Sequence, residues 1–187
     1  MTVRLYFEVD QEELGRAHEY CTNVEAATEI DAGVWGHTFF EMPIFFEVDE
    51  VSLLSGPGPL FGTAQGLQWT LRVVKHVGAW DFVAGRGGLL FRLDENDALS
   101  ILNPDQRVAV QTPIHDIDEA TAKFSESVRA FMLTEFPSLD QHRQMGWWFR
   151  DEPYPDDRLR HWLPERHHVD KMHRRIQRLL GEITADN

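Results

Sequence analysis

The stretch LLFRLDENDALSIL, residues 89–102, decides the fold class. Two runs of strand-forming residues flank the polar turn DEND, and a connection this short can join only antiparallel neighbours. Further short runs lie on either side, WDFVA before the GRGG turn at 85–88 and RVAV after the NPDQ turn at 103–106. The middle of the chain is therefore predicted to form an antiparallel meander.

The two-residue period extends upstream of this region. VRLYFEVD at 3–10 alternates apolar and polar residues, as a half-buried strand does. HTFFEMPIFFEVDEV at 37–51 and LQWTLRVVKHV at 67–77 alternate in the same way and predict two more strands. The glycine-rich GPGPLFG at 56–62 is predicted to be a loop between strands.

Helical spacing appears at both ends of the chain. Asp10 with Glu13 has the spacing of a capping box and predicts a helix from residue 11 to the low twenties. Asp116 with Glu119 predicts a long helix that ends near Pro137. A shorter helix over about 138–152 and a last helix from Pro164 to about Gly181 complete the prediction.

These patterns predict an α+β protein: a twisted antiparallel meander of about six to seven strands, with helices covering one face and a C-terminal helical run. A chain of 187 residues suits one domain, residues 1–187. Residues 1–111 are expected to be mainly β with one N-terminal helix, and residues 112–187 mainly helical.

Composition indicates a cytoplasmic globular protein. Hydrophobic residues make up 42% and charged residues 26%, and no apolar run is long enough to span a membrane. The first residues, MTVRLYFEVDQEEL, do not resemble a signal peptide. The single cysteine, Cys21, cannot form an internal disulfide or a cysteine zinc cluster.

The net charge is −13 and is unevenly distributed. Residues 1–157 contain 27 acidic and 11 basic residues, whereas residues 158–187 contain 4 and 7. Such an acidic body repels nucleic-acid phosphates and attracts a basic protein partner. Acidity that serves only solubility is the ordinary alternative.

The histidine-rich stretch RHWLPERHHVDKMHRR, residues 160–175, suggests a metal site at first sight. Two histidines that chelate one ion from a helix need i, i+4 spacing, but His167 and His168 lie six and five residues from His173. Neither a metal nor another cofactor is therefore predicted. The basic residues here are expected to pair with the helix dipole and the protein's own acids, not with nucleic acid.

No phosphate loop, calcium loop or nucleophile elbow is present in the sequence. His18 and Cys21 share a helix, but Cys21 lies on its apolar stripe and is expected to be structural. An enzyme whose site is assembled from distant residues, for example His37, His76 and His115, is one alternative. A structural or regulatory domain is another.

Acidic loops beside aromatic residues are the best candidates for a partner-binding surface. GWWFRDEPYPDD at 146–157 has two tryptophans that belong either to the core or to an interface, and a tyrosine in a proline-bounded turn. The predicted partner-binding residues are Asp151, Glu152, Tyr154, Asp156 and Asp157, together with Asp94, Glu95 and Asp97.

Size, acidity, a meander with trailing helices and the absence of catalytic motifs together make the chain similar to bacterial polymorphic-toxin immunity proteins. The resemblance implies a non-enzymatic protein that neutralises a cognate toxin by binding it. It implies no cofactor and assigns no residue role.

Overall fold

The predicted antiparallel hairpins are present, but they belong to two sheets. A computed structural model describes residues 2–23, 25–37, 39–84, 87–152 and 164–185. The fold is α+β, with seven antiparallel strands and six helices in this part of the chain. The predicted fold class and strand number are confirmed.

The first sheet has the order β1-β2-β3, formed by Val3–Phe7, Glu41–Val48 and Val51–Pro59. Every second residue of β2 is buried, as the period of a half-buried strand requires. Leu5 pairs with Phe46, which in turn pairs with Leu54. The outer face of this sheet includes Tyr6, whose ring stacks on that of Phe45.

The second sheet is the meander around the opening stretch. Its order is β4-β5-β6-β7, formed by Ala79–Ala84, Gly87–Leu93, Ala98–Asn103 and Val108–Pro113. One hydrogen bond between the sheets runs from Asn103 Nδ2 to the carbonyl of Leu53, at 2.8 Å.

Six helices surround the sheets in the described part of the chain: α1 (Gln11–Asn23), α2 (Ala32–His37), α3 (Leu60–Val77), α4 (Ile114–Glu135), α5 (Gly146–Phe149) and α6 (Arg166–Ala185). A 3₁₀ turn, Pro137–Gln141, follows α4. Asp10 caps α1 as predicted, because its Oδ1 accepts the N–H groups of Glu12 and Glu13 at 2.9 and 3.1 Å.

The strand predicted at 67–77 is wrong, because these residues form most of α3. Leu67, Leu71 and Val74 are buried at helical spacing, whereas Trp69 and Arg72 are not buried. The missing strand is β3, whose last residues are the Gly-Pro run that was predicted to be a loop.

Two helix predictions also need correction. The helix α4 begins at Ile114 without a capping box, since its first N–H is bonded to the carbonyl of Asp97 in the β5–β6 turn. The helix predicted over 138–152 is divided into the 3₁₀ turn and the short α5. The short helix α2 was not predicted.

Helices cover both faces of the second sheet, not one face as expected. Residues that point to one face, such as Leu89 and Phe91, pack against α3 and α4, while Leu90 and Leu102 on the other face pack against Ile176 of α6. A strand buried on both faces needs apolar residues at consecutive positions, as in LLF at 89–91. The second sheet is therefore a middle layer between helices.

The approach of α2 to α3 depends on a glycine. A Cβ at Gly62 would lie 1.8 Å from the carbonyl oxygen of Gly36, whereas a Cβ at Gly36 would meet nothing within 4 Å. We expect Gly62→Ala to destabilise the protein by about 2 kcal/mol or more, because two backbones must separate. The matched control Gly36→Ala should be neutral or stabilising by up to ~1 kcal/mol. Urea unfolding of both variants measures the difference, and equal losses would contradict it.

Candidate functional site

The glycine side of α3 lines a cleft between α2 and β4. Gly62 lies against Gly36 of α2, and one turn later a Cβ at Gly66 would come within 2.8 Å of the Phe82 ring in β4. The cleft has a volume of about 630 Å³, within the range of ligand sites in proteins. We call it the β4 cleft; its lining includes Gly36, His37, Gly62, Gly66, Trp69 and the β4 residues 80–83.

The α2 wall of the β4 cleft is anchored from behind. Trp35 is fully buried, and its indole N–H donates to the carbonyl of Ala27 at 3.3 Å. The buried His142 accepts the N–H groups of Gln144 and Met145 at Nδ1, so its Nε2–H donates to the carbonyl of Ile30 at 2.7 Å. These bonds fix the segment that leads into α2, so the cleft wall is held before any ligand arrives.

The opposite wall is the edge of the second sheet. In the part of the chain that the structure describes, β4 pairs with β5 alone. Four consecutive β4 residues, 80–83, line the cleft. Because side chains of a strand alternate between faces, a cleft on one face would be lined by every second residue only. The β4 cleft therefore runs along the strand edge.

The hydrogen-bond register shows which backbone groups point into this edge. Leu93 donates its N–H to the carbonyl of Gly78, the residue opposite it in the β4–β5 register. Hydrogen-bonded pairs alternate along an antiparallel ladder, so Trp80 and Phe82 bond to β5. The N–H and C=O groups of Asp81 and Val83 consequently point outward, away from β5.

A second, smaller cleft lies on the other side of β4. It has a volume of about 450 Å³ and is lined by Trp80, Asp81, Pro164, His168, Lys171, Met172 and Arg175. We call it the α6 cleft. Trp80 and Asp81 border both clefts, so this part of β4 lies between them, and Val83 is 73% exposed.

The acidic residues predicted to bind a partner do not form one cluster. Asp97 lies where α4 begins, because its carbonyl accepts the N–H of Ile114. Asp151 forms a 2.7 Å ion pair with Arg129, far along the same helix. With a rise of 1.5 Å per residue, the two contacts on α4 are about 22 Å apart.

Most of the described acids in this set already have partners. Asp94 holds its turn, because its Oδ1 accepts the N–H groups of Asn96 and Ala98 at 2.8 and 2.9 Å. Glu152 accepts a 2.6 Å hydrogen bond from Arg150, which lowers the pKa of the Glu152 carboxyl. Glu95 is exposed in the turn. Tyr154, Asp156 and Asp157 lie outside the described residues.

The two tryptophans at 147 and 148 differ in burial. Trp148 belongs to the core: it is buried, donates to Gln68 Oε1 at 2.9 Å and lies under the Arg129 guanidinium. Trp147 is only partly buried and borders a separate open cavity near His142. Of these two tryptophans, only Trp147 is therefore exposed enough to belong to an interface.

Two of the three histidines of the enzyme alternative, His37 and His76, lie far apart. His37 follows Gly36 beside Gly62, near the start of α3, whereas His76 lies in the last turn of that helix. Along the axis of α3, the position beside Gly62 and the position of His76 are separated by about 20 Å. His115 is exposed at the start of α4 and bonded to Asp116 at 3.0 Å. These three residues form no common site.

The chain matches no protein-family model, no curated protein and no solved structure. Among the described residues, no helix has the length and apolar character needed to cross a bilayer. The similarity to immunity proteins thus stays a prediction, and the geometry of the clefts is the basis for assigning a function.

The thiol of Cys21 is expected to be unreactive. Burial, with a smaller contribution from the charge of Glu25, raises the pKa of Cys21 to about 11. His18 does not activate this thiol, because its ring bonds to Glu135 at 2.8 Å and lies against Phe136. Near pH 8 the thiolate fraction is on the order of a hundredfold below that of an exposed cysteine.

We therefore predict slow alkylation of Cys21 by iodoacetamide at pH 8, with a rate that rises as pH approaches 11. Mass spectrometry of timed samples measures the rate, and the same chain in urea is the control. A thiol that reacts at pH 8 as fast in the folded as in the unfolded chain would contradict the assignment.

Proposed function

We propose that this protein is a non-enzymatic binding protein of the immunity type, which holds an extended segment of a toxin partner along the edge of β4. The observation that carries the proposal is the outward direction of the Asp81 and Val83 backbone groups at an edge bordered by two clefts. An edge strand with unpaired N–H and C=O groups is a template for one more strand.

The two clefts fit the side chains of such an added strand. Side chains of a strand alternate, so one set would enter the β4 cleft and the other set the α6 cleft. The β4 cleft offers apolar and aromatic surface from Trp69, Trp80 and Phe82. The α2 residues that line the β4 cleft face β4 across it, which favours a peptide strand over a broad protein face beside β4.

Charge supports a basic partner overall. The chain carries −13, and long-range attraction raises the rate at which an oppositely charged protein associates. Asp81 on the strand edge lines the β4 cleft, and Asp31, exposed just before α2, lines the neighbouring cavity near His142. The similarity to immunity proteins in size, acidity and architecture supports a toxin as this partner.

Proline at position 83 tests the edge directly. The Val83 N–H makes no bond to β5, so Val83→Pro removes one outward donor and leaves the sheet intact. We expect the affinity for the partner to fall about tenfold or more, because a buried acceptor on the partner loses its donor. The matched control Val83→Thr keeps the N–H group and should bind like the wild type.

The measurement is a comparison of three immobilised proteins, wild type, Val83→Pro and Val83→Thr, with lysate of the source cells. A protein retained by the first and third but not by the second supports the proposal, and interferometry then gives its affinity at low and high salt. Equal retention by all three would contradict edge binding. A dimer of this chain that Val83→Pro dissociates would assign the edge to a second copy.

Immunity is tested with the retained protein. Expressed alone, it should arrest growth of a bacterial host, and co-expression of this chain should restore growth, whereas Val83→Pro should restore it less. A retained protein that does not harm the host would contradict the immunity function while leaving edge binding intact.

Charge reversal tests the predicted acidic loops. Glu95→Lys should slow association with a basic partner, and the double reversal of Asp156 and Asp157 should do the same, with a weaker salt dependence in both cases. Tyr154→Ala should mainly raise the dissociation rate. Val51→Lys, an exposed change on the other sheet, is the control. Association and dissociation rates equal to those of this control would show that these loops lie outside the interface.

A further inference from the structure

Three potential metal ligands converge where α6 begins. Glu165, His167 and His168 each have a donor atom within 4.8 Å of the donors of the other two, and all three residues are exposed. Within this group, His167 Nδ1 and a Glu165 carboxylate oxygen lie 3.1 Å apart. The helical spacing rule excluded His173 as a shared ligand of His167 or His168, but it does not describe Glu165, which precedes the helix, or the first turn of α6, where the two histidine rings lie close together.

The arrangement of the two imidazoles is unusual for neighbouring residues of a helix. Successive helical side chains diverge by about 100°. Nevertheless, the ring centroids of His167 and His168 are 3.9 Å apart, and the two ring planes are inclined by 38°. No apolar environment holds the rings together, since both are exposed. Their nitrogens therefore face one region of solvent that the Glu165 carboxylate also borders.

Two imidazole nitrogens and one carboxylate form the donor set of a borderline transition metal. Zinc binds such ligands at about 2.0–2.2 Å, so three donors within 4.8 Å need only rotamer adjustments on the order of 1 Å to surround it. Calcium and magnesium prefer oxygen donors alone. Three protein ligands also leave the fourth tetrahedral position open.

We propose that Glu165, His167 and His168 form a zinc-binding site at the start of α6. The site adjoins the α6 cleft, because His168 also lines that cleft together with Trp80 and Asp81. The open fourth position belongs to water or to a donor atom of a bound molecule. This site depends only on its own three residues and is independent of the edge-binding function.

The test is calorimetric titration of the full-length chain, produced without a histidine tag, with zinc chloride at pH 7.5. We expect one ion per chain with a dissociation constant in the micromolar range. The double variant His167→Ala/His168→Ala should lose at least about a hundredfold in affinity, and Glu165→Gln should lose less. All three residues are exposed, so circular dichroism should show unchanged folding.

His115→Ala is the matched control, because His115 is another exposed histidine beside a carboxylate, at the start of α4. It should bind zinc like the wild type. Affinity should also fall in acid, since protons compete with zinc for the imidazole nitrogens. No binding at millimolar zinc, or equal binding by the wild type and the double variant, would overturn the assignment.

Discussion

The contact between Gly36 and Gly62 is the constraint on which the candidate site depends. At this point the carbonyl of α2 lies so close to α3 that a single Cβ, at 1.8 Å, cannot fit between them. Trp35 and His142 hold α2 from its other side, so the helix cannot move away without breaking buried contacts. The distance from α2 to β4, and with it the width of the β4 cleft, follows from this packing.

In the described part of the chain, one edge of β4 has no neighbouring strand, and the fold protects this edge from unwanted association only in part. Unpaired strand edges promote association with other chains, and proteins usually cover them or place charges on them. Here β4 is six residues long and has Asp81 at its centre, with α2 and α6 bordering its two sides. These features limit pairing with a long, flat partner sheet. They fit the proposed binding of one extended segment better than broad association with other chains.

The strands were predictable from sequence where short turns fixed their direction. The hairpin at 89–102 and the strand at 3–7 follow from turn residues and alternation, which are local properties. The error at 67–77 has a physical origin: a run such as LQWTLRVV has apolar residues at spacings of both two and four, and β-branched Val73 and Val74 favour a strand. Tertiary burial of Leu67, Leu71 and Val74 against the second sheet decides in favour of a helix.

The candidate site could not be predicted from the sequence, and the reason is different. WDFVA was recognised as a strand, but whether a strand lies at an edge depends on which other strands pair with it. Likewise, the acidic turn at 94–97 looks like a binding loop in sequence, whereas Asp94 proves to bond its own turn. A signal for the proposed zinc ligands existed in the E-x-H-H pattern at 165–168, but how closely these three donors approach one another at the start of α6 cannot be calculated from helical spacing.

The distribution of acids bears on how a partner would be attracted. At physiological ionic strength, charges separated by more than about 8 Å are largely screened from one another. The acids near Asp97 and Asp151, about 22 Å apart along α4, therefore act as separate features. Asp151 and Glu152 are further neutralised by Arg129 and Arg150. In the proposed function, attraction of a basic protein would then arise from the summed field of the −13 charge, and specificity would come from short-range contacts at the β4 edge.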